Sequence, residues 1–334
     1  MRSFKHINAR TVDEACALLG KYSGKAMLNA GGTDLLLTLK GEYLPDYPEA
    51  VINIKTISGL DYIKEDGGAL KIGALTKLFD LGRSPLLKER YGALAEAARS
   101  VATPHVRNAA TIGGNLCQGV RCWYYRYPRS IGGPIPCLRK GNGQCLAVSG
   151  DNRYHAIMGG KRCLAVCPSD TAVALAAMDA QIKIAGQDGK RGIAVTDFFT
   201  PLGNALTQDA MVTEIEVPRA EGPTKQTFLK FTLRNPVDFA IVSVASVITL
   251  QRGICTDARI VLGAVAPAPV RAKKAEEVIK GRPIDQGAAE EAAEQAVAGA
   301  RPLSMNAYKI EITKTLVKRA LLSAPRPLRH ALTS

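Results

Sequence analysis

The sequence is poor in aromatic residues, 5% of 334, with a single Trp. Single-stranded nucleic acid is gripped by aromatics stacked along a basic groove. Here Lys and Arg are scattered, so the net charge of +14 does not point to nucleic acid. An anionic cofactor, acidic partner subunits or a solvated basic surface account for such an excess. No apolar run approaches the roughly 18 residues that span a bilayer; Thr171 to Met178 is typical of those present. A membrane role is therefore not expected. The opening MRSFKHINARTVDEACALLG lacks the charged-then-apolar layout of an export signal, which makes the cytoplasm the expected location. Neither G-x-G-x-x-G nor the Walker pattern is found, which argues against a Rossmann or P-loop grip on phosphate.

Cysteine, by contrast, is plentiful and unevenly placed. Cys16 and Cys255 stand alone, and packing accounts for them. Cys117, Cys122, Cys137, Cys145, Cys163 and Cys167 fall within 51 residues. A chain of this length does not need disulfides to hold a core, and a reducing compartment disfavours them. Clustered thiols there point to metal or redox chemistry. Zinc sites usually pair cysteines at C-x2-4-C, whereas the gaps between Cys122, Cys137, Cys145 and Cys163 are 14, 7 and 17 residues. Four thiolates on a glycine-rich loop suit an iron–sulfur cluster. Structural zinc and incidental thiols are the alternatives.

Thr11 to Glu14 forms a capping box ahead of a helix through Leu19, because a Thr side chain can accept from free helix amides while Glu three residues on answers it. Ala26 to Leu36 runs from a strand through a Gly-Gly turn into a helix, and Val51 to Ile54 is the next strand. Strand, helix, strand is the order of a small parallel βαβ unit. Leu70 to Ala74 is a strand; Thr76 to Leu81 and Tyr91 to Val101 are helical. Between 118 and 162, Gly, Pro, Arg and Tyr dominate and hydrophobic periodicity stops; a stretch of that length without elements is functional or disordered. Helix at Ala172 to Met178 and strand at Gln181 to Ile184 follow. Strands near Thr227 to Leu233, Phe239 to Leu250 and Ala258 to Val265 precede helices from Gln286 to Ala298 and Ala307 to Leu322.

Two glycine loops carry the binding chemistry. Asn29-Ala-Gly-Gly-Thr-Asp34 and Thr111-Ile-Gly-Gly-Asn115 each pair glycines with a hydroxyl and a side-chain amide. Glycines let main-chain amides approach a phosphate, and a helix N-terminus adds partial positive charge. Either alone reads equally as an ordinary turn. Together they suggest two hands on one diphosphate.

With Pro168-Ser-Asp170 and Phe228-Leu-Lys-Phe231, followed by Arg234 and Asp238, the chain resembles the FAD-binding medium subunit of the xanthine oxidase (molybdenum hydroxylase) family over nearly its whole length. The insert between Asn115 and Ser169 resembles a minority of that family, the 4-hydroxybenzoyl-CoA reductase β subunit and the flavin subunit of a bacterial aldehyde oxidoreductase. Those carry an extra [4Fe-4S] cluster. The resemblance implies that Met27, Leu28, Asn29, Ala30, Gly31, Gly32, Thr33, Asp34 and Leu35 wrap the FAD diphosphate. Ala110, Thr111, Gly114 and Asn115 would form the second loop, with Ser169 and Asp170 on the ribose or adenosine part. Val212 would lie near the flavin or adenine and Lys230 at the isoalloxazine edge, where a cation favours negative charge on the ring. Cys122, Cys137, Cys145 and Cys163 match the cluster ligands; Cys167 offers a fifth thiol and leaves the fourth ligand open.

The expected architecture is α+β. A FAD-binding domain at 1–222 comprises a small parallel βαβ subdomain (1–58) and a mixed β subdomain (59–222) with the Cys-rich insert at 118–165. A C-terminal antiparallel sheet with helices follows at 223–334. The resemblance further implies electron transfer within a hetero-oligomer, with a molybdenum-cofactor large subunit, a small [2Fe-2S] subunit and a soluble carrier such as ferredoxin. A stand-alone FAD dehydrogenase and a zinc-stabilised binding protein are the alternatives.

Overall fold

The computed structural model describes residues 1–220, 222–235 and 237–323. It is a mixed α+β fold. The first sheet holds β1 (Lys5–Asn8), β2 (Ala26–Asn29) and β3 (Ala50–Asn53) in the order β1-β3-β2, all parallel. The helices α1 (Val12–Lys21) and α2 (Leu35–Gly41) make the connections. Thr11 caps α1 by accepting from the Glu14 amide, but Glu14 reaches back to the amide of Arg10 rather than that of Thr11. The expected βαβ unit is thus present, with β1 added at its edge. That strand is mostly exposed, so it carries little hydrophobic signal.

The second sheet is antiparallel, in the order β4-β5-β10-β6-β7. Its strands are β4 (Ile63–Asp66), β5 (Ala69–Gly73), β6 (Gln181–Gly186), β7 (Gly189–Ala194) and β10 (Met211–Pro218). Between β5 and β6 come α3 (Leu78–Arg83), α4 (Pro85–Arg90), α5 (Gly92–Arg99), α6 (Pro104–Ala109), α7 (Ile112–Cys117) and α8 (Asp170–Ala177). A one-turn helix α9 (Val195–Phe198) leads to the small pair β8 (Phe199–Thr200) and β9 (Gly203–Asn204). The third sheet, β11 (Thr224–Phe231), β12 (Val242–Gln251), β13 (Ile254–Gly263) and β14 (Val270–Arg271), is antiparallel in sequence order. It is backed by α10 (Lys273–Ile279), α11 (Gln286–Val297) and α12 (Tyr308–Leu322).

All eight residues of α8 are buried. Its apolar side chains share one cluster with Ile72, Ile182 and Ile215 of the second sheet and Val247 and Val261 of the third. A helix apolar on every side, as Ala172–Ala177 is, is stable only where both faces are covered. That burial fixes the N-terminus of α8, with Ser169 and Asp170, between the two sheets. Cys16 and Cys255 are buried within separate hydrophobic clusters, as packing thiols.

Residues 118–162 hold only three short 3-10 turns, at Arg129–Ile131, Leu138–Lys140 and Leu146–Val148. Cations over aromatic rings stitch the stretch: Arg121 over Phe239 at 4.5 Å, Arg126 over Tyr43 at 5.4 Å and Lys140 over Tyr125 at 5.6 Å. Such contacts add roughly 0.5–2 kcal/mol each, more when desolvated. The Arg and Tyr content therefore acts as a lattice in place of secondary structure.

Candidate functional site

The first glycine loop leaves β2 at Asn29 and enters α2 at Leu35. Gly32 has φ +71°, a left-handed conformation open to glycine at little cost. A Cβ on Gly31 would lie 2.1 Å from the Ala109 carbonyl oxygen, so only glycine lets the two loops touch. Among the described residues, no hydrogen bond engages the main-chain N–H groups of Gly31, Gly32 and Thr33. The side-chain oxygen of Asn29 is buried without a partner. The buried Asn29 oxygen is costly without a partner, and the three amides, on half-buried residues, are open to a ligand.

The second loop differs. Thr111 caps α7 by accepting from the Gly114 amide at 3.2 Å. The amides of Ile112, Gly113 and Asn115 donate to Thr76, Ala74 and Thr111 carbonyls. Ala110 is buried and its carbonyl accepts from Leu78 N. Asn115 Oδ1 accepts from Ser169 Oγ and Thr171 Oγ1, each at 2.6 Å. Ser169 Oγ in turn caps α8 by accepting from the Ala172 amide. This loop is a rigid wall locked to α8, whereas the first presents free donors.

Asp34 turns away from the loop amides. Its carboxylate accepts from Arg121 at 2.6 Å, Arg126 at 2.8 Å and the Gly119 amide at 2.9 Å. Burial pushes this carboxyl up, but the two guanidinium groups and the amide outweigh burial and hold it below the ordinary range. Asp34 thus ties the glycine loop to the insert. Asp170 and Lys230 meet each other: Nζ lies 2.7 Å from Oδ2, with side chains only 6% and 8% exposed, and Nζ also donates to the Ser100 carbonyl at 2.9 Å. Burial pushes the Asp170 carboxyl up, against the pull of the Lys230 ammonium. Val212 is buried on β10 opposite Ile184, in the same cluster as Ala110.

Cys122, Cys137, Cys145 and Cys163 line one small cavity, together with Tyr124, Tyr125 and Arg139 among others. Cys117 and Cys167 do not line it. Burial pushes both of these up to about 12, which makes them inert thiols. Burial also pushes Cys122 up, to about 11; the amides of Tyr125 and Tyr124 pull it back, and Cys163 and Cys145 nearby push it up further. His155 Nε2 lies 3.2 Å from Cys122 Sγ. Among the described residues, no group of three or more His, Cys, Asp or Glu side chains is arranged to hold a metal ion.

The model of the "FAD binding domain in molybdopterin dehydrogenase" family matches residues 2–220, and that of the "CO dehydrogenase flavoprotein C-terminal domain" matches residues 227–324. The chain belongs to the FAD-binding medium subunits of the molybdenum hydroxylases. It is 32% identical to the aldehyde oxidoreductase FAD-binding subunit of Escherichia coli (strain K12), covering 97% of this chain and 99% of that one. It is 30% identical to the carbon monoxide dehydrogenase medium chain of Hydrogenophaga pseudoflava, covering 96% of each. A solved structure of the Hydrogenophaga carbon monoxide dehydrogenase superposes with a TM-score of 0.76 at 29% identity over 96% of each chain. As a medium subunit of this family the chain is an oxidoreductase subunit that binds FAD. The unpartnered amides of the first loop fit the anionic diphosphate of that cofactor. Among the described residues, no helix is long and apolar enough to cross a membrane.

Both loops are marked in the sequence by Gly-Gly ahead of a helix, but the partners of Asp34 are not. Arg121 and Arg126 lie 87 and 92 positions away, and the only local signal is the placement of Arg121 beside Cys122. Nothing in the neighbourhood of His155 marks that residue either.

Proposed function

We propose that this medium subunit carries a [4Fe-4S] cluster on Cys122, Cys137, Cys145 and Cys163 beside its FAD and works as an electron-transfer subunit. The observation that carries the reading is the sorting of thiols: four of the six clustered cysteines line one cavity and two are packed away from it. Zinc sites usually pair their cysteines at C-x2-4-C, and the gaps of 14, 7 and 17 residues between these four depart from that pattern. Four thiols lining one cavity suit an iron–sulfur cluster. Cys163 rather than Cys167 is then the fourth ligand.

FAD supplies one- or two-electron chemistry and the cluster one-electron chemistry when bound. The chain's residues hold and shield. The amides of Gly31, Gly32 and Thr33 receive the diphosphate, with Met27, Leu28, Asn29, Ala30 and Leu35 around it. Ala110, Thr111, Gly114 and Asn115 form the opposing wall, and Val212 packs behind it. Asp34 with Arg121 and Arg126 keeps loop and insert in register. Ser169 and the Asp170–Lys230 pair close the adenosine and flavin ends. Because that pair has no net charge, its role is to position rather than to supply a bare cation.

The domains divide at 222/223 in this reading. The partners are a molybdenum-cofactor large subunit, a small [2Fe-2S] subunit and a soluble carrier such as ferredoxin, in the cytoplasm and without nucleic acid or membrane. The complex is of the aldehyde oxidoreductase or aromatic acyl-CoA reductase type. The 32% identity to the aldehyde oxidoreductase subunit over nearly the full length supports this placement.

Replacing Cys137 by Ser is expected to remove iron and leave FAD in place. Cys167→Ser is expected to keep both. Metal and flavin analysis of the two purified variants decides it: wild-type iron in Cys137→Ser contradicts the ligand set.

A further inference from the structure

One histidine stands against the thiol-lined cavity, and the fold goes to some length to hold it there. His155 is 3% exposed, and its Nε2 is 3.2 Å from Cys122 Sγ. No other side chain among the described residues is hydrogen-bonded to a sulfur of the four cavity cysteines. The ring packs edge-on to Trp123, with centroids 5.6 Å apart, and against Tyr124 at 6.0 Å. Its main chain is clamped on both sides. The amide donates to the Asn152 carbonyl at 2.9 Å. The carbonyl accepts from Asn306 Nδ2 and Lys309 Nζ, each at 3.1 Å. Asn152 is itself fully buried and bound to the Met305 amide. The start of α12 thus fixes the imidazole on the insert, two segments about 150 residues apart in sequence.

We infer that His155 is a positioning residue for the cluster: it donates a hydrogen bond from Nε2 to the Cys122 sulfur and thereby raises the cluster's reduction potential. The inference rests on the cluster reading above. A ligating thiolate has only acceptor capacity, so an imidazole nitrogen at this distance must bring the proton. The proton then sits on Nε2 and leaves Nδ1 bare, and Nδ1 is buried without a partner. Adding an electron makes the cluster more negative, and a donor aimed at a ligand sulfur stabilises that form more than the oxidised one. Hydrogen bonds to sulfur are one of the levers by which a protein sets the potential of such a cluster.

The test is a redox titration of the full chain as purified, followed by the electron paramagnetic resonance of the reduced cluster. His155→Leu removes the donor, and His155→Gln keeps an N–H group. The Leu variant is expected to titrate at a more negative potential than wild type, with the Gln variant between them. A Leu variant that keeps its iron and titrates with wild type overturns the inference. Should the Leu variant lose its iron, the wild-type protein with 15N-labelled histidine decides. There are four histidines in the chain, and pulsed spectra of the reduced cluster are expected to show a weak nitrogen coupling that changes with the label. A spectrum indifferent to the label overturns the inference. If the wild-type chain holds no iron, it is the cluster reading that fails. Iron with no effect of His155 is a failure of this inference alone.

Discussion

Gly31 and Gly32 work by what they lack. At Gly31 a methyl group would press on the Ala109 carbonyl from 2.1 Å, so Gly31→Ala is expected to push the two loops apart. The cost is about 1–3 kcal/mol of overpacking strain together with loss of flavin. Flavin content after gel filtration and a melting curve check both, and full flavin retention contradicts the assigned contact. The Asp170–Lys230 pair sets a different test. Removing one partner of a buried pair costs roughly 3–5 kcal/mol because the other is left charged and alone. Lys230→Met is therefore expected to destabilise strongly, and adding Asp170→Leu to restore much of the loss. A single variant as stable as wild type denies that the pair is buried. At this scale the sequence showed the glycines, since Gly-Gly ahead of a helix is a local pattern. It did not show that Asp34 answers Arg121 and Arg126 or that Asp170 answers Lys230, because those distances exist only after the sheets have packed.

Elements were legible where apolar residues run together in the sequence. β2, β3, β5, β6, β12 and β13 carry apolar runs and stood out, as did the alanine-rich α8 and α11. β7 has two glycines and two cations in Gly189–Ala194 and four exposed positions, so nothing in its hydrophobic pattern marks it. β10, Met211–Pro218, does alternate; its interior side chains Ile215 and Val217 are fully buried between β5 and β6, and the alternation was the overlooked signal. α12 carries an unexpected feature, Lys309, which is fully buried and donates to the His155 and Ala264 carbonyls without a carboxylate. Burial pushes its ammonium down to about 7, from an ordinary value of 10.5. Between those values the unfolded chain binds a proton that the folded chain does not, so this stabilisation is full above the ordinary lysine value and is lost as the pH falls to about 7. Raising the pH from 7 to 9 is expected to stabilise wild type by about 2 kcal/mol relative to Lys309→Met. Parallel denaturant titrations of the two proteins measure it. Identical pH profiles contradict the buried lysine.

For the molecule as a whole, three sheets with α8 between the second and third make a scaffold in which the glycine loops meet. The insert lies over one of them through Asp34 and is anchored at its far end by Asn306 and Lys309. The fold class was readable from the alternation of short strands and helices. The insert's order was not, because ion pairs and cations over rings, rather than periodicity, hold it. The central proposal is that this subunit houses flavin and iron together. The direct measurement is flavin, iron, acid-labile sulfide and zinc per chain in the purified protein, read beside its absorption spectrum. One FAD with about four irons and as many sulfides, the composition of a four-thiolate cluster, is the predicted result. A flavin-bearing chain with no iron, or with a single zinc in place of it, would contradict the account.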